Sequence, residues 1–464
     1  MSLVNEHTAR KAKVSQASQV SSRKENQQMV TTKKAPLSKL LSSTVLALVL
    51  ALGSALPVFA AGGPNGSVEG TADNPAAAAI TKILEMPVGT DTPKASFQFE
   101  VTPIEVDGSI DQTDLDAMPV IGTNGLVTID LSTGATEVSE DGLKQVYKES
   151  LSLFEGVNWT HTGVYTYSIT EVDDTYACST SDPIEQMSYS GAVYQVSVYV
   201  DRADDGTLYA RYIGALVVVP DTDSTEPGDK VDPTPGGDPS VNNDYSKMIF
   251  TNSYLKTNAP DNPDPTTDSV LIISKAVNGG ALADPDEYFD FDIIITNAVT
   301  ITDANKTYKA YIVDANGIVS PIPGNQAPSG AIKFDGTNDY IEFTTAQMAR
   351  IQLKDGQQLS FVDLPVGTMF DVEEVNPKNY TASYVLTIDG AIKEAIDASA
   401  AGQSLGLSEP SYTGEGDNRA AFTNTYRDVT PMGIAVDNLP YIIMALIALL
   451  GLAGYVTSKT RTQS

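Results

Sequence analysis

Gly163-Val164-Tyr165-Thr166-Tyr167-Ser168-Ile169-Thr170-Glu171 alternates large apolar and small polar side chains with a period of two, the signature of a strand with one face buried. Val193–Val200 (VYQVSVYV), Val270–Val277 (VLIISKAV) and Tyr288–Ile295 (YFDFDIII) repeat the pattern, separated by Gly, Asp, Asn and Pro. Helical periodicity is almost absent; one short helix is expected within Ser139–Phe154. Short alternating runs with frequent turn signals predict an all-β protein built of β-sandwiches.

The same alternation carries polar residues where apolar ones belong. Ile80-Thr81-Lys82-Ile83-Leu84 and Ile273-Ser274-Lys275-Ala276-Val277 each put a lysine on the apolar face. Glu171 shares a face with Tyr165, Tyr167 and Ile169, and Glu374 shares one with Phe370 and Val372. Two closing runs, Phe250-Thr251-Asn252-Ser253-Tyr254 and Phe422-Thr423-Asn424-Thr425-Tyr426, place Asn252 and Asn424 beside aromatic residues. The ordered set Lys…Glu…Asn therefore occurs twice. A single lysine at a strand end can snorkel to solvent; two matching triplets on apolar faces argue for burial.

Burying such groups unpaired costs several kcal/mol each. Buried together they become reactive. Desolvation lowers the pKa of the lysine and raises that of the glutamate. A neutral amine is a nucleophile toward the asparagine side-chain carbonyl. A protonated glutamate can polarise that carbonyl and shuttle protons as ammonia leaves. The expected product is a Lys–Asn amide cross-link, Lys82 to Asn252 and Lys275 to Asn424, with Glu171 and Glu374 as the catalytic groups. The reaction is a single self-modification without cofactor or metal, so the chain is not read as a turnover enzyme. By the loop-closure relation for disulfides, each cross-link is worth roughly 5 kcal/mol. A staple of this kind would substitute for disulfides, since Cys178 is the sole cysteine.

The repeat divides the 464 residues into sandwiches at 76–256 and 270–427, joined by a Pro/Asp-rich linker at 257–269 that reads as an extended hinge. Asp221–Ser240 is read as a long loop inside the first sandwich. Residues 1–60 form a basic stretch, an apolar run from Leu40 to Leu56 and a small-residue site at Val58-Phe59-Ala60-Ala61, the layout of a signal peptide. Residues 428–464 hold an apolar, membrane-spanning stretch at 439–457 followed by Lys459 and Arg461.

The net charge of −30 becomes −36 once the leader's eight cations and two acids are set aside, which excludes a basic nucleic-acid surface. The acidic run Asp107–Asp116 lacks the glycine turn and distal glutamate of a calcium loop. His7 and His161 are far apart and one lies in the leader, so zinc or triad chemistry is not indicated.

At these residues the chain resembles the isopeptide-linked pilins of streptococci and related Gram-positive bacteria, the FctA/T-antigen family. In the first sandwich the resemblance is carried by Ile80-Thr81-Lys82, Gly163–Glu171, Tyr194–Val200 and Ile249–Asn252. In the second it is carried by Ser274–Gly279, Leu353–Gln357, Leu364–Glu374 and Phe422–Asn424. It implies immunoglobulin-like, CnaB-like sandwiches whose matching Lys and Asn are cross-linked. The C-terminus resembles a cell-wall sorting signal with the motif Val429-Thr430-Pro431-Met432-Gly433; the family has threonine where Met432 stands. The implied partners are a sortase, other copies of this chain or other pilins, and peptidoglycan. The implied place is the wall-anchored surface of a Gram-positive cell. Lys247, just before the closing strand, matches about the place of the lysine that accepts the next subunit. Two functions fit: a polymerised pilus subunit, or a monomeric sortase-anchored adhesin recognising a host or partner-cell ligand.

Overall fold

The computed structural model describes residues 69–221, 225–236, 245–398 and 400–426. The leader, the motif from Val429 to Gly433 and the apolar span 439–457 lie outside the described residues.

The first half contains β1 (Thr81–Pro87), β2 (Ser96–Val106), β3 (Leu126–Asp130), β4 (Thr136–Glu140), β5 (Leu143–Glu149), β6 (Gly163–Glu171), β7 (Ile184–Ser188), β8 (Val193–Arg202), β9 (Leu208–Val219), β10 (Lys230–Val231) and β11 (Ile249–Thr257). They form two facing sheets, in the orders β4-β5-β1-β11-β7 and β10-β9-β8-β6-β2-β3. The second half contains β12 (Leu271–Asn278), β13 (Phe289–Thr296), β14 (Thr307–Val313), β15 (Ile332–Phe334), β16 (Asp339–Thr344), β17 (Met348–Leu353), β18 (Gln358–Phe361), β19 (Met369–Val375), β20 (Tyr380–Ile388), β21 (Ala391–Asp397), β22 (Leu405–Gly406), β23 (Ser411–Tyr412) and β24 (Arg419–Tyr426). Its sheets run β15-β16-β14-β18-β12-β24-β20-β21 and β17-β13-β19-β22, with β23 also on β19.

The fold is the tandem β-sandwich read from the sequence, and the alternation explains it locally. The buried apolar residues on the core face of β6 are Tyr165, Tyr167 and Ile169, and those on the core face of β8 are Tyr194, Val196, Val198 and Val200. Beside Phe97 and Phe99 of the same sheet, these side chains pack against Ile80, Leu84 and Phe250 across the inter-sheet space. The second core is built likewise from Leu271, Ile273, Phe289, Phe291, Ile293, Val372 and Phe422.

One topological feature positions everything that follows. In each sandwich the first strand lies beside the last one, in parallel: Lys82 is in register with Phe250 and Leu84 with Asn252, while Lys275 is in register with Phe422 and Val277 with Asn424. Lysine and asparagine are therefore diagonal neighbours on the same face of one sheet. The glutamate strand belongs to the opposite sheet in both cases.

The helix expected within Ser139–Phe154 is corrected. That segment holds β5, which pairs antiparallel with β1 from Thr81↔Glu149 to Pro87↔Leu143. Without β5, that edge of β1 would present unpaired amides inside the sandwich, and tertiary pairing overrides the weak local preference. The one α-helix among the described residues is the single turn Gln112–Leu115.

The 257–269 segment is not a free hinge. Ala259 is buried, and the Asn258 side chain donates to the Glu415 carbonyl. Glu415 also accepts from the Asp91 N–H at 2.8 Å and pairs with Lys256, while the Val366 N–H donates to the Lys256 carbonyl at 2.8 Å. Gly367, at φ +78°, would put a Cβ 2.2 Å from that of Pro87, so only glycine allows this approach.

Candidate functional site

The alternation that builds the cores also delivers six polar groups into them. Lys82, Glu171, Asn252, Lys275, Glu374 and Asn424 are all at most 9% exposed. The structure brings them together in two clusters of three.

In the first sandwich the Lys82 Nζ donates to Glu171 Oε2 at 2.9 Å, and the Asn252 Nδ2 donates to Glu171 Oε1 at 2.8 Å. One carboxyl group thus bridges the amine and the amide nitrogen. In the second, the Lys275 Nζ donates to Glu374 Oε1 at 2.7 Å and the Asn424 Nδ2 to the same oxygen at 2.6 Å. Glu374 Oε2 and Asn424 Oδ1 are buried with no hydrogen-bond partner among the described residues.

The surroundings push both ionisable groups toward neutrality. Burial lowers the Lys82 amine to about 8, against the opposing pull of Glu171, and Lys275 is lowered to about 8 by burial against Glu374. Burial pushes the carboxyls of Glu171 and Glu374 up, against the attraction of their lysines and the asparagine hydrogen bonds. Proton transfer from lysine to glutamate is thereby made cheap.

Aromatic rings wall off both clusters. The Lys82 Nζ stands 4.6 Å from the centre of the Phe97 ring, and the Lys275 Nζ stands 4.5 Å from that of Phe289. Two residues on, Phe99 packs edge-on against Phe250 at 5.0 Å, and Phe291 packs the same way against Phe422 at 5.3 Å. Phe99 lies opposite Glu171 in the ladder, and Phe291 lies opposite Glu374. The two sites share not only their polar triplet but also a Phe-x-Phe on the strand after the lysine. That motif is visible as Phe97-Gln98-Phe99 and Phe289-Asp290-Phe291, and the polar triplets alone do not reveal it.

Residues 78–255 match the family described as Spy0128-like isopeptide containing domain. The first sandwich belongs to this FctA family. Residues 269–426 match a second family, described as a domain of unknown function (DUF7601). A curated pilin from Streptococcus pyogenes serotype M1 is 26% identical over 420 residues, covering 89% of this chain and 98% of that protein. Among solved structures, the major pilin from Streptococcus pyogenes aligns with 76% of this chain and 99% of its own, at 20% identity and a TM-score of 0.28. A pilus-presented adhesin aligns with 51% of this chain and 36% of its own, at 15% identity and a TM-score of 0.21.

Within the first sandwich the cluster has two further polar neighbours, both from loops. The Ser190 N–H donates to Asn252 Oδ1 at 2.8 Å, and the Ser190 hydroxyl is bonded to Asp221 Oδ1. The second sandwich has Asp355 nearby, accepting from the Val277 N–H at 2.7 Å. Lys247 is not part of either cluster. It is half-buried at the entry to β11, its N–H donating to the Asp232 carbonyl at 2.7 Å and its Nζ 3.6 Å from the centre of the Tyr245 ring.

Proposed function

We propose that this chain is a structural subunit of a covalently polymerised surface pilus of a Gram-positive bacterium, each sandwich closed by a self-catalysed isopeptide bond. The observation that carries the reading is the twofold burial of lysine and asparagine on the first and last strands, bridged by a carboxyl group from the opposite sheet. Similarity along 89% of the chain to a curated pilin supports it.

The chemistry follows from the contacts. The Lys82 ammonium gives a proton to Glu171, leaving a neutral amine beside a carboxylic acid. The Nζ lone pair attacks Asn252 Cγ, and charge moves onto Oδ1. Glu171 donates its proton to Nδ2 and takes one from Nζ; the Cγ–Nδ2 bond breaks, and ammonia leaves. Atoms balance as amine plus primary amide giving secondary amide plus ammonia. Holding the groups in one dry core makes the attack intramolecular. Lys275, Glu374 and Asn424 take the same roles in the second sandwich.

A covalent tie between adjacent terminal strands is mechanically apt for a fibre, because tension entering one strand leaves through the other. Polymerisation is assigned to a sortase acting at Val429-Thr430-Pro431-Met432-Gly433. The Met432 carbonyl would be joined to Lys247 of the next subunit, and the last subunit to peptidoglycan. The test is the intact mass of the secreted, folded protein, expected to fall short of its sequence by two ammonia molecules. Tryptic mapping should find Lys82 joined to Asn252 and Lys275 to Asn424. A folded protein of unmodified mass refutes the proposal.

A further inference from the structure

We infer that Ser190 and Asp221 form an oxyanion-stabilising unit for the first sandwich alone, in which the Ser190 N–H takes up charge on Asn252 Oδ1 and Asp221 holds Ser190 in place. The inference rests on the cross-linking reaction proposed above.

A backbone N–H can only donate, so its contact with the Asn252 side chain identifies Oδ1 as the atom facing Ser190. The leaving nitrogen then faces Glu171, as the 2.8 Å contact to Oε1 shows. Each end of the scissile amide has its own partner: a proton donor at the nitrogen and a fixed dipole at the oxygen. Donors aimed at the atom where negative charge develops act most strongly in a water-excluded site, and Asn252 is fully buried.

The placement of Ser190 is over-determined. It follows β7, which pairs with β11 from Ser253↔Ser188 onward, so the chain leaves the sheet beside Asn252. Its hydroxyl is bonded to Asp221 Oδ1, and its Oγ accepts from the Ala192 N–H at 3.2 Å. Asp221 Oδ1 also accepts from the Thr251 N–H at 3.0 Å, which anchors it to the residue preceding the electrophile. Its Oδ2 is buried with no partner among the described residues, an arrangement that costs stability and calls for a compensating role. Asp221 also favours the charged form of Lys82, which opposes reaction. Its contribution is therefore through position rather than through its charge.

The second sandwich lacks this unit: Asn424 Oδ1 has no donor among the described residues. The second site thus serves as an internal control in the same molecule.

The experiment is pulse-labelled cell-free synthesis of the full chain, quenched in acid at successive times, with tryptic mapping of the two linked peptides. Asp221→Ala and Ser190→Ala should each slow the Lys82–Asn252 bond at least about tenfold, because a displaced oxyanion donor loses part of a typically hundredfold or larger effect. The Lys275–Asn424 bond should keep its wild-type rate, which certifies the folding of the second sandwich, and native-state resistance of the first sandwich to trypsin certifies that the substituted half has folded. Asp221→Asn retains the acceptor for the Ser190 hydroxyl and the Thr251 N–H, and should restore at least the wild-type rate. The double variant Ser190→Ala/Asp221→Ala should be no slower than the slower single one, since both act through one N–H. Wild-type protein that loses no ammonia defeats the underlying cross-linking reaction. Two normal wild-type bonds with an unchanged first-site rate in Asp221→Ala and Ser190→Ala overturn this inference alone. Failure of Asp221→Asn to restore the rate overturns the positioning role of Asp221.

Discussion

Replacing Asn252 by alanine removes the electrophile and leaves Lys82 beside Glu171 in the 2.9 Å contact of the unlinked core, so the core loses the tether and the two hydrogen bonds of the Asn252 side chain. In the linked protein, tension entering at the start of β1 reaches Lys82 within two residues and crosses to Asn252 on the neighbouring parallel strand. The roughly 170 residues between them lie outside the load path. Unlinked and extended at about 3.5 Å per residue, they would add about 600 Å of contour length. The tether itself is worth about 5 kcal/mol by loop closure, which exceeds the roughly 1 kcal/mol of each hydrogen bond the substitution removes. For a domain of this size that corresponds to a melting point lower by about 10–20 °C. Single-molecule force spectroscopy on the full chain gives the direct reading. Wild type should show no length increment from the first sandwich, and Asn252→Ala should show one near the full 600 Å. A wild-type chain that releases the same length as the variant would refute the reasoning, because no bond could then be bridging the terminal strands.

Three further outcomes are expected. Glu171→Gln should abolish the first cross-link and leave the second, and Glu374→Gln should do the reverse, read as the loss of one ammonia instead of two; both bonds forming in either variant removes the catalytic role of that glutamate. The rate of cross-linking should follow a bell in pH. The reactive pair of neutral amine and carboxylic acid holds one proton, as the ion pair does, so its share is constant while that proton is retained. It falls above about 8, where the lysine side gives up its proton, and at acid pH, where both groups are protonated, with that limb above the ordinary carboxylate range because burial raises Glu171 and Glu374. Quenched time courses at fixed pH check this, and a rate that keeps climbing above pH 9 contradicts it. Lys247→Ala should eliminate high-mass ladders on a denaturing gel while surface display persists; ladders that survive assign the acceptor to another lysine.

Much of the site was legible because strand alternation is a strict rule. Parity alone puts Lys82, Lys275, Glu171, Glu374, Asn252 and Asn424 on the faces of their apolar neighbours, and those faces are buried. Repetition of the ordered triplet then links residues far apart in the chain without any knowledge of the fold. The Phe-x-Phe repeat was equally available in the sequence and links the rings to the triplets only through cross-strand register.

Other features had no local trace. β5 carries too little propensity to announce itself as a strand; it is one because β1 needs a partner on that side. Ser190 and Asp221 come from loops, where no periodicity relates position to direction, and they meet Asn252 only after three separate segments have folded together. From residue types alone, glutamate is expected to polarise the asparagine carbonyl. In the first sandwich the tertiary structure gives the carbonyl to Ser190 and the amide nitrogen to Glu171. Which end of an amide faces which neighbour depends on donors brought in by the fold, and side-chain periodicity carries no information about them. Side-chain alternation along the chain is enough to give the sandwich class and the composition of the two buried triplets. The pairing of those triplets across sheets, the orientation of the Asn252 amide and the docking of the linker on the Glu415 carbonyl through Asn258 come from the fold, because each depends on contacts between segments whose separation in the chain no local pattern encodes.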